Sequence, residues 1–273
     1  MSCEVCGDVG VADTTADVGR RSDSDALEET AAAVPLTMWA SRLAVVGAVV
    51  AAVGFLLLHL LMSGAVDPVS QPVSDYALVW PGNGLFAFGT LSLALSCTVL
   101  SVAGLGLSRE RPVRWLLGSA AGFLALVVVF PTDPGDVVTS VIGEIHRWAA
   151  SGAFVAIILV GWSVGRRIAD DWWRRWLTFL TVLGTIALVL TAANTMLPDV
   201  ADGGEWRGVP QRLLLAVELV LMTAVAASSA RTAAAADVTW PRKAQVWPSE
   251  PGIELRSTLR SGDGLRSTAV RRQ

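Results

Sequence analysis

The chain contains two histidines, His59 and His146, and each stands beside carboxylates in a polar interruption of otherwise apolar sequence. His59 precedes the segment Asp67–Tyr76, which holds Asp67, Ser74, Asp75 and the single tyrosine, Tyr76. His146 follows Asp133, a carboxylate bracketed by Pro131 and Pro134. Imidazoles with carboxylates form the donor set of a zinc or other divalent site, and they also suit general acid–base chemistry. His59, Asp75, Asp133 and His146 are therefore the candidate metal ligands, with a divalent metal as the candidate cofactor. No HxxxH or HExxH spacing is present, nor a GxSxG elbow or a phosphatase-type Lys/Arg/His set. Metal chemistry here rests on the fold bringing these residues together.

The elements that must position them are membrane helices. Of the 273 residues, 53% are hydrophobic and only 16% charged, and the apolar residues come in blocks. Blocks near the ~20 residues needed to cross ~30 Å of hydrocarbon read as transmembrane helices. The expected fold is all-α, a polytopic bundle of six transmembrane helices. They are placed at about Trp39–Met62, Gly84–Leu107, Val113–Phe130, Glu144–Gly165, Arg174–Leu197 and Pro210–Ala230. Small residues four apart, Gly118 with Gly122 and Gly161 with Gly165, are suited to close helix packing in lipid. The first partner is the lipid bilayer, not nucleic acid. Prolines in Asp67–Tyr76 fix φ and remove amide donors, so that segment is expected to be an ordered, non-helical turn.

Flanking the 39–230 membrane domain are two tails expected to be disordered, an acidic one at 1–38 and a basic one at 231–273. Cys3 and Cys6 form a CxxC without the second ligand pair that zinc needs. The acidic tail does not read as a cleaved signal peptide. In the basic tail, Leu255–Thr258 recurs as Leu265–Thr268.

Orientation follows from arginine placement. Arg42, Arg109, Arg111, Arg114, Arg166, Arg167, Arg174, Arg175 and Arg231 fall on one side, with Arg242 and Lys243 beyond. The other side has Arg147, Arg207 and Arg212 among Asp67, Asp75, Asp133, Asp136, Asp199, Asp202 and Glu205. Both termini are thus expected in the cytoplasm, with the protein in the cytoplasmic membrane.

That topology gathers the polar groups at one depth. His59, Asn194, Glu144 and His146 lie at outer helix ends, while Gln211 and Arg212 open the sixth span. Glu218 stands about eight residues into that span, roughly 12 Å at 1.5 Å per residue. Gln211 and Glu218, seven apart, share a helix face that should point into the bundle. An ionisable group at that depth normally faces the interior and finds a partner. Glu218 either fixes packing through a hydrogen bond or forms part of a site. Asp133 likewise either caps a helix or is a rigidly aimed ligand-binding group.

The order His59, Asp67-Pro68, Val73-Ser74-Asp75-Tyr76, Phe130-Pro131-Thr132-Asp133-Pro134, Gly143 and His146, then Gln211-Arg212, resembles a bacterial membrane-protein family known as domain of unknown function 998. The resemblance covers roughly Trp39 to Ala230. It implies a six-helix integral membrane protein and no assigned activity. The residues themselves suggest an outward-facing polar pocket, roofed by the Asp67–Tyr76 and Pro131–Gly143 loops, that binds or senses a small polar ligand or lipid headgroup. His59, Asp67, Ser74, Asp75, Tyr76, Asp133, His146 and Glu218 are its candidate binding residues. The alternative is a membrane-embedded, metal-dependent hydrolase acting on a lipid or envelope substrate.

Overall fold

Hydropathy blocks of this length need a structure that satisfies every backbone group internally, and in lipid that structure is the helix. The computed structural model describes residues 39–103, 110–134, 140–196 and 205–244, the last thirteen of these through the backbone only. Six helices are long and apolar enough to cross a membrane. They are α1 (Trp39–Leu61), α2 (Gly82–Ala103), α3 (Arg111–Val129), α4 (Val141–Gly165), α5 (Asp171–Met196) and α6 (Gly208–Ala244). The chain is a multi-pass membrane protein.

The helix ends differ from the expected ones for local reasons. Asp170 Oδ1 accepts hydrogen bonds from the amides of Trp172 and Trp173 at 2.9 and 3.2 Å, which starts α5 at Asp171 instead of Arg174. Ser140 caps α4 by accepting from the Gly143 amide at 3.0 Å, so α4 begins at Val141, before Glu144. Pro112 opens α3, where its missing amide donor costs nothing. At the other end of the chain α6 continues to Ala244, past the Ala230 where the sequence predicts the span to end. The chain divides into the units Met1–Val238 and Thr239–Gln273. Cys3, Cys6, the acidic tail, the Leu-Arg-Ser-Thr repeat, Arg109, Asp136, Asp199 and Asp202 lie outside the described residues.

Within the bundle α6 buries the largest share of its span, 61%, while α3 and α5 bury 28% each and are peripheral. The core is made of aliphatic residues such as Leu58, Leu93, Leu117, Ile157, Leu214 and Leu221. Where helices touch, small and hydroxyl-bearing residues do the joining. Ser96 Oγ donates to the Ala44 carbonyl at 2.8 Å, tying α2 to α1. Gly161 admits a close approach of α5 and α6, since a Cβ there would stand 2.5 Å from Thr181 Oγ1 and 2.8 Å from Leu221. Gly118 keeps a close approach to α2, since a Cβ there would lie 3.3 Å from Ser101 Oγ. Gly122 corrects the packing expectation: it is exposed on α3, and a Cβ there would meet nothing within 4 Å.

Large apolar side chains cover the outside, among them Leu56, Leu60, Phe88, Val102, Phe179 and Val220. That is the surface a bilayer solvates.

Candidate functional site

Asp67 opens the connection between α1 and α2 by folding the chain around its own carboxylate. Oδ1 accepts from the Val69 amide at 3.0 Å and Oδ2 from Ser70 Oγ at 2.7 Å. The Gln71 amide donates to the Asp67 carbonyl at 3.0 Å, and the Asp67 amide donates to Gln71 Oε1 at 2.6 Å. The Val69 amide and then the Ser70 hydroxyl hold the Asp67 carboxyl below its ordinary pKa.

This turn is clamped from α6. Arg212 Nη1 donates to the carbonyls of Pro68 and Gln71 at 2.8 and 2.6 Å. The Gly208 amide donates to the Val69 carbonyl at 2.8 Å, and Gln211 Oε1 accepts from the Val73 amide, also at 2.8 Å. The approach at Gly208 needs glycine, because a Cβ would lie 2.5 Å from Arg212 Nη1 and from the Pro68 and Gln71 carbonyl oxygens.

Beyond the clamp the segment departs from the expected non-helical turn. Pro72 takes the N-cap position with φ −69° and ψ 160°, and Val73–Leu78 form a 3₁₀ helix that buries Val73, Asp75 and Tyr76. The proline stands before the helix, where fixed φ is no obstacle. Tyr76 is 1% exposed. Its ring meets the His59 ring edge-on, centroids 5.4 Å apart, and lies 5.8 Å from the Arg212 guanidinium.

The connection between α3 and α4 forms a second arm. Asp133 accepts from Ser140 twice, from its amide at 2.9 Å and its hydroxyl at 2.6 Å. Its carboxylate thus sits against the start of α4, where the helix dipole favours negative charge. One turn in, His146 Nδ1 meets the Phe130 carbonyl at 2.7 Å. A carbonyl oxygen only accepts, so Nδ1 carries a proton, and in the tautomer with one proton Nε2 is the acceptor. Glu144 receives hydrogen bonds from Arg147 Nη2 at 2.7 Å and Trp148 Nε1 at 2.6 Å.

The two arms and the start of α6 enclose a cavity of about 420 Å³. Its charged and polar lining includes Ser74, Asp75, Thr132, Asp133, His146, Arg147, Arg207 and Gln211. Its side wall is α4 and α5, through Ser151, Val155, Leu188, Val189, Ala192 and two threonines, Thr191 and Thr195, whose hydroxyls donate to their own helix carbonyls. A smaller chamber of about 60 Å³ shares Ser74, His146, Ala150, Phe154 and Gln211 with it and reaches Glu218. As its spacing from Gln211 implies, Glu218 faces the bundle interior, 1% exposed.

Of the candidate residues, Ser74, Asp75, Asp133 and His146 line one cavity, and Glu218 joins Ser74 and His146 in the chamber. Asp67 is exposed and engaged in its own turn, while Tyr76 packs behind the cavity lining, against His59 and Arg212. His59 stands apart, its Nδ1 held by the Phe55 carbonyl of its own helix at 2.7 Å. The four candidate metal ligands are therefore not gathered. Among the described residues no group of three or more His, Cys, Asp and Glu side chains is arranged to hold a metal ion. Sequence reasoning missed Arg207 and Thr90 as lining residues. An arginine on the arginine-poor side was a usable signal for the first; one hydroxyl in an apolar span gave none for the second.

Comparison with curated proteins and with solved structures finds no match. A family model does match, over residues 45–228, which spans both arms, the cavity wall and Glu218. The chain belongs to the family described as protein of unknown function DUF998.

Proposed function

We propose that this protein binds the polar headgroup of a membrane lipid in the cavity at its loop end. The observation that carries the reading is the cavity's mixed wall. Charged groups of both signs form its roof, yet its side is built from α4 and α5 residues that also face the surroundings, Val155 at 43% and Val189 at 60% exposure. A free polar solute has no use for such a wall. A lipid does, because its acyl chains must leave sideways between helices while the headgroup stays among polar groups. Pockets of roughly 300–1,000 Å³ are the usual size for small-molecule sites, and ~420 Å³ suits a headgroup.

Arginine asymmetry supports an orientation with this end on the outer face of the cytoplasmic membrane and both termini inside. The arginines that break the asymmetry have local work there: Arg212 clamps the loop, Arg147 pairs with Glu144, and Arg207 lines the cavity.

The test is native mass spectrometry of the detergent-purified full chain. Wild type should retain phospholipid adducts, and Ser151→Trp, which fills the cavity from α4, should lose them. Leu126→Trp on the exposed face of α3 should keep them. Equal retention by both variants would remove the reading.

A further inference from the structure

Glu218 is the most deeply buried ionisable side chain that lines either space, and its Oε1 has no hydrogen-bond partner among the described residues. A carboxyl left so at this depth in a membrane protein is costly, and it normally answers to a partner. Thr90 repeats the pattern across the chamber: it is 2% exposed and its Oγ1 is likewise unpartnered among the described residues. His146 adds Nε2, the acceptor of a ring whose other nitrogen is held by Phe130. Phe55, Phe86 and Phe154 also line the chamber. Among the described residues no lysine or arginine lines the chamber.

This composition selects among ligand groups. A phosphate or carboxylate would find donors in the Thr90 and Ser74 hydroxyls and the Gln211 amide, but it would face the Glu218 carboxyl with no lysine or arginine to balance its charge. A hydroxyl brings one donor for several acceptors. A primary ammonium brings three donors and a positive charge that aromatic rings attract. The chamber's ~60 Å³ holds about four water-sized groups at ~15 Å³ each, enough for an aminoethyl arm. The residues shared with the outer cavity let such an arm enter from there.

We propose that the inner chamber receives the primary ammonium group of the ligand seated in the outer cavity, with Glu218 as its counter-ion. This rests on the headgroup-binding reading and names the headgroup's chemistry. The amine has two sources, an aminoethyl lipid headgroup or a free small amine, and the experiment separates them.

The full chain in detergent is titrated with phosphatidylethanolamine, phosphatidylglycerol of the same acyl chains, and free ethanolamine, with binding read by native mass spectrometry. Wild type should bind phosphatidylethanolamine about tenfold more tightly than phosphatidylglycerol, the size of one lost charge-assisted hydrogen bond. Glu218→Gln should bind the two lipids alike. Thr90→Val, which removes an acceptor and keeps the carboxyl, should narrow the preference and serves if Glu218→Gln does not fold. Glu218-dependent binding of free ethanolamine with neither lipid bound would keep the ammonium site and overturn the lipid reading. Equal binding of both lipids to wild type, or a preference that survives Glu218→Gln, overturns the ammonium site and leaves the cavity reading standing. No binding of any of the three overturns both.

Discussion

Arginines at the two ends of this bundle do different work. At one end they lie over tryptophan rings: Arg42 is 5.5 Å from the Trp39 centroid, Arg166 is 5.7 Å from Trp162, and Arg231 is 3.6 Å from Trp173. Aromatic and cationic side chains of this kind suit a membrane–water boundary, where a ring is half solvated and a cation stays wet. At the other end Arg212 donates to two loop carbonyls, Arg147 pairs with Glu144, and Arg207 lines a cavity. At the first end Arg114 Nε also donates to the Ser101 carbonyl at 2.7 Å, thirteen residues away, and Arg174 pairs with Asp171 three residues away, so these bonds are local. At the second, Arg212 reaches carbonyls 144 and 141 residues away, and that long-range clamp is what sets this end apart.

Substitutions should separate the two ends by the size of their effect. The largest is expected at the clamp. Arg212→Ala removes both carbonyl bonds and the contact with Tyr76, and a hydrogen bond to a charged group contributes roughly 1.5–3 kcal/mol. The variant should melt well below wild type in detergent and lose lipid adducts, since the loop it holds carries Ser74 and Asp75. Wild-type melting would mean that the loop is held by Gln211 and Gly208 alone.

A smaller effect is expected at the opposite end. Arg231→Ala removes a cation from the Trp173 face, a contact of about 0.5–1 kcal/mol where exposed. Melting should shift slightly and lipid retention not at all. Loss of lipid binding by Arg231→Ala would break the division between the ends.

The smallest effect concerns Asp67. Its pKa in the folded chain lies below the ordinary 3.8, first because of the Val69 amide and next the Ser70 hydroxyl. A depressed carboxyl contributes stability that is present above 3.8 and is lost as pH falls through the lower folded value. The group is exposed, so the contribution is slight. Melting of wild type should drop a little further than that of Asp67→Asn over this acid range, with the two curves parallel at neutral pH. Parallel curves throughout would detach the carboxylate from the turn.

Hydropathy made the six spans legible, because crossing hydrocarbon dictates length and composition at once. Capping moved the ends, and caps depend on which of several nearby polar residues reaches an amide, as Asp170 and Ser140 do here. The inward face of Gln211 and Glu218 was legible from helical period alone. For His59, a position near a helix end does not say where the ring points, and the Phe55 carbonyl one turn back holds its Nδ1. The dual nature of Asp133, capping through Ser140 while lining the cavity, was visible only as two competing readings. The wall from α5 had no sequence signal, since residues such as Val189 and Ala192 look like any others in a span.

Ser74 lines both the cavity and the inner chamber, so it reports most directly on whether the cavity holds a lipid headgroup. Ser74→Cys is made with Cys3 and Cys6 replaced by serine; Cys97 is buried. The rate of reaction with an impermeant maleimide is measured in detergent before and after phospholipid is added, beside Ser63→Cys on the exposed loop. Lipid should slow labelling at position 74 by about tenfold, as occupancy well above the dissociation constant demands, while labelling at position 63 stays unchanged. Equal slowing at both positions, or at neither, would contradict the claim.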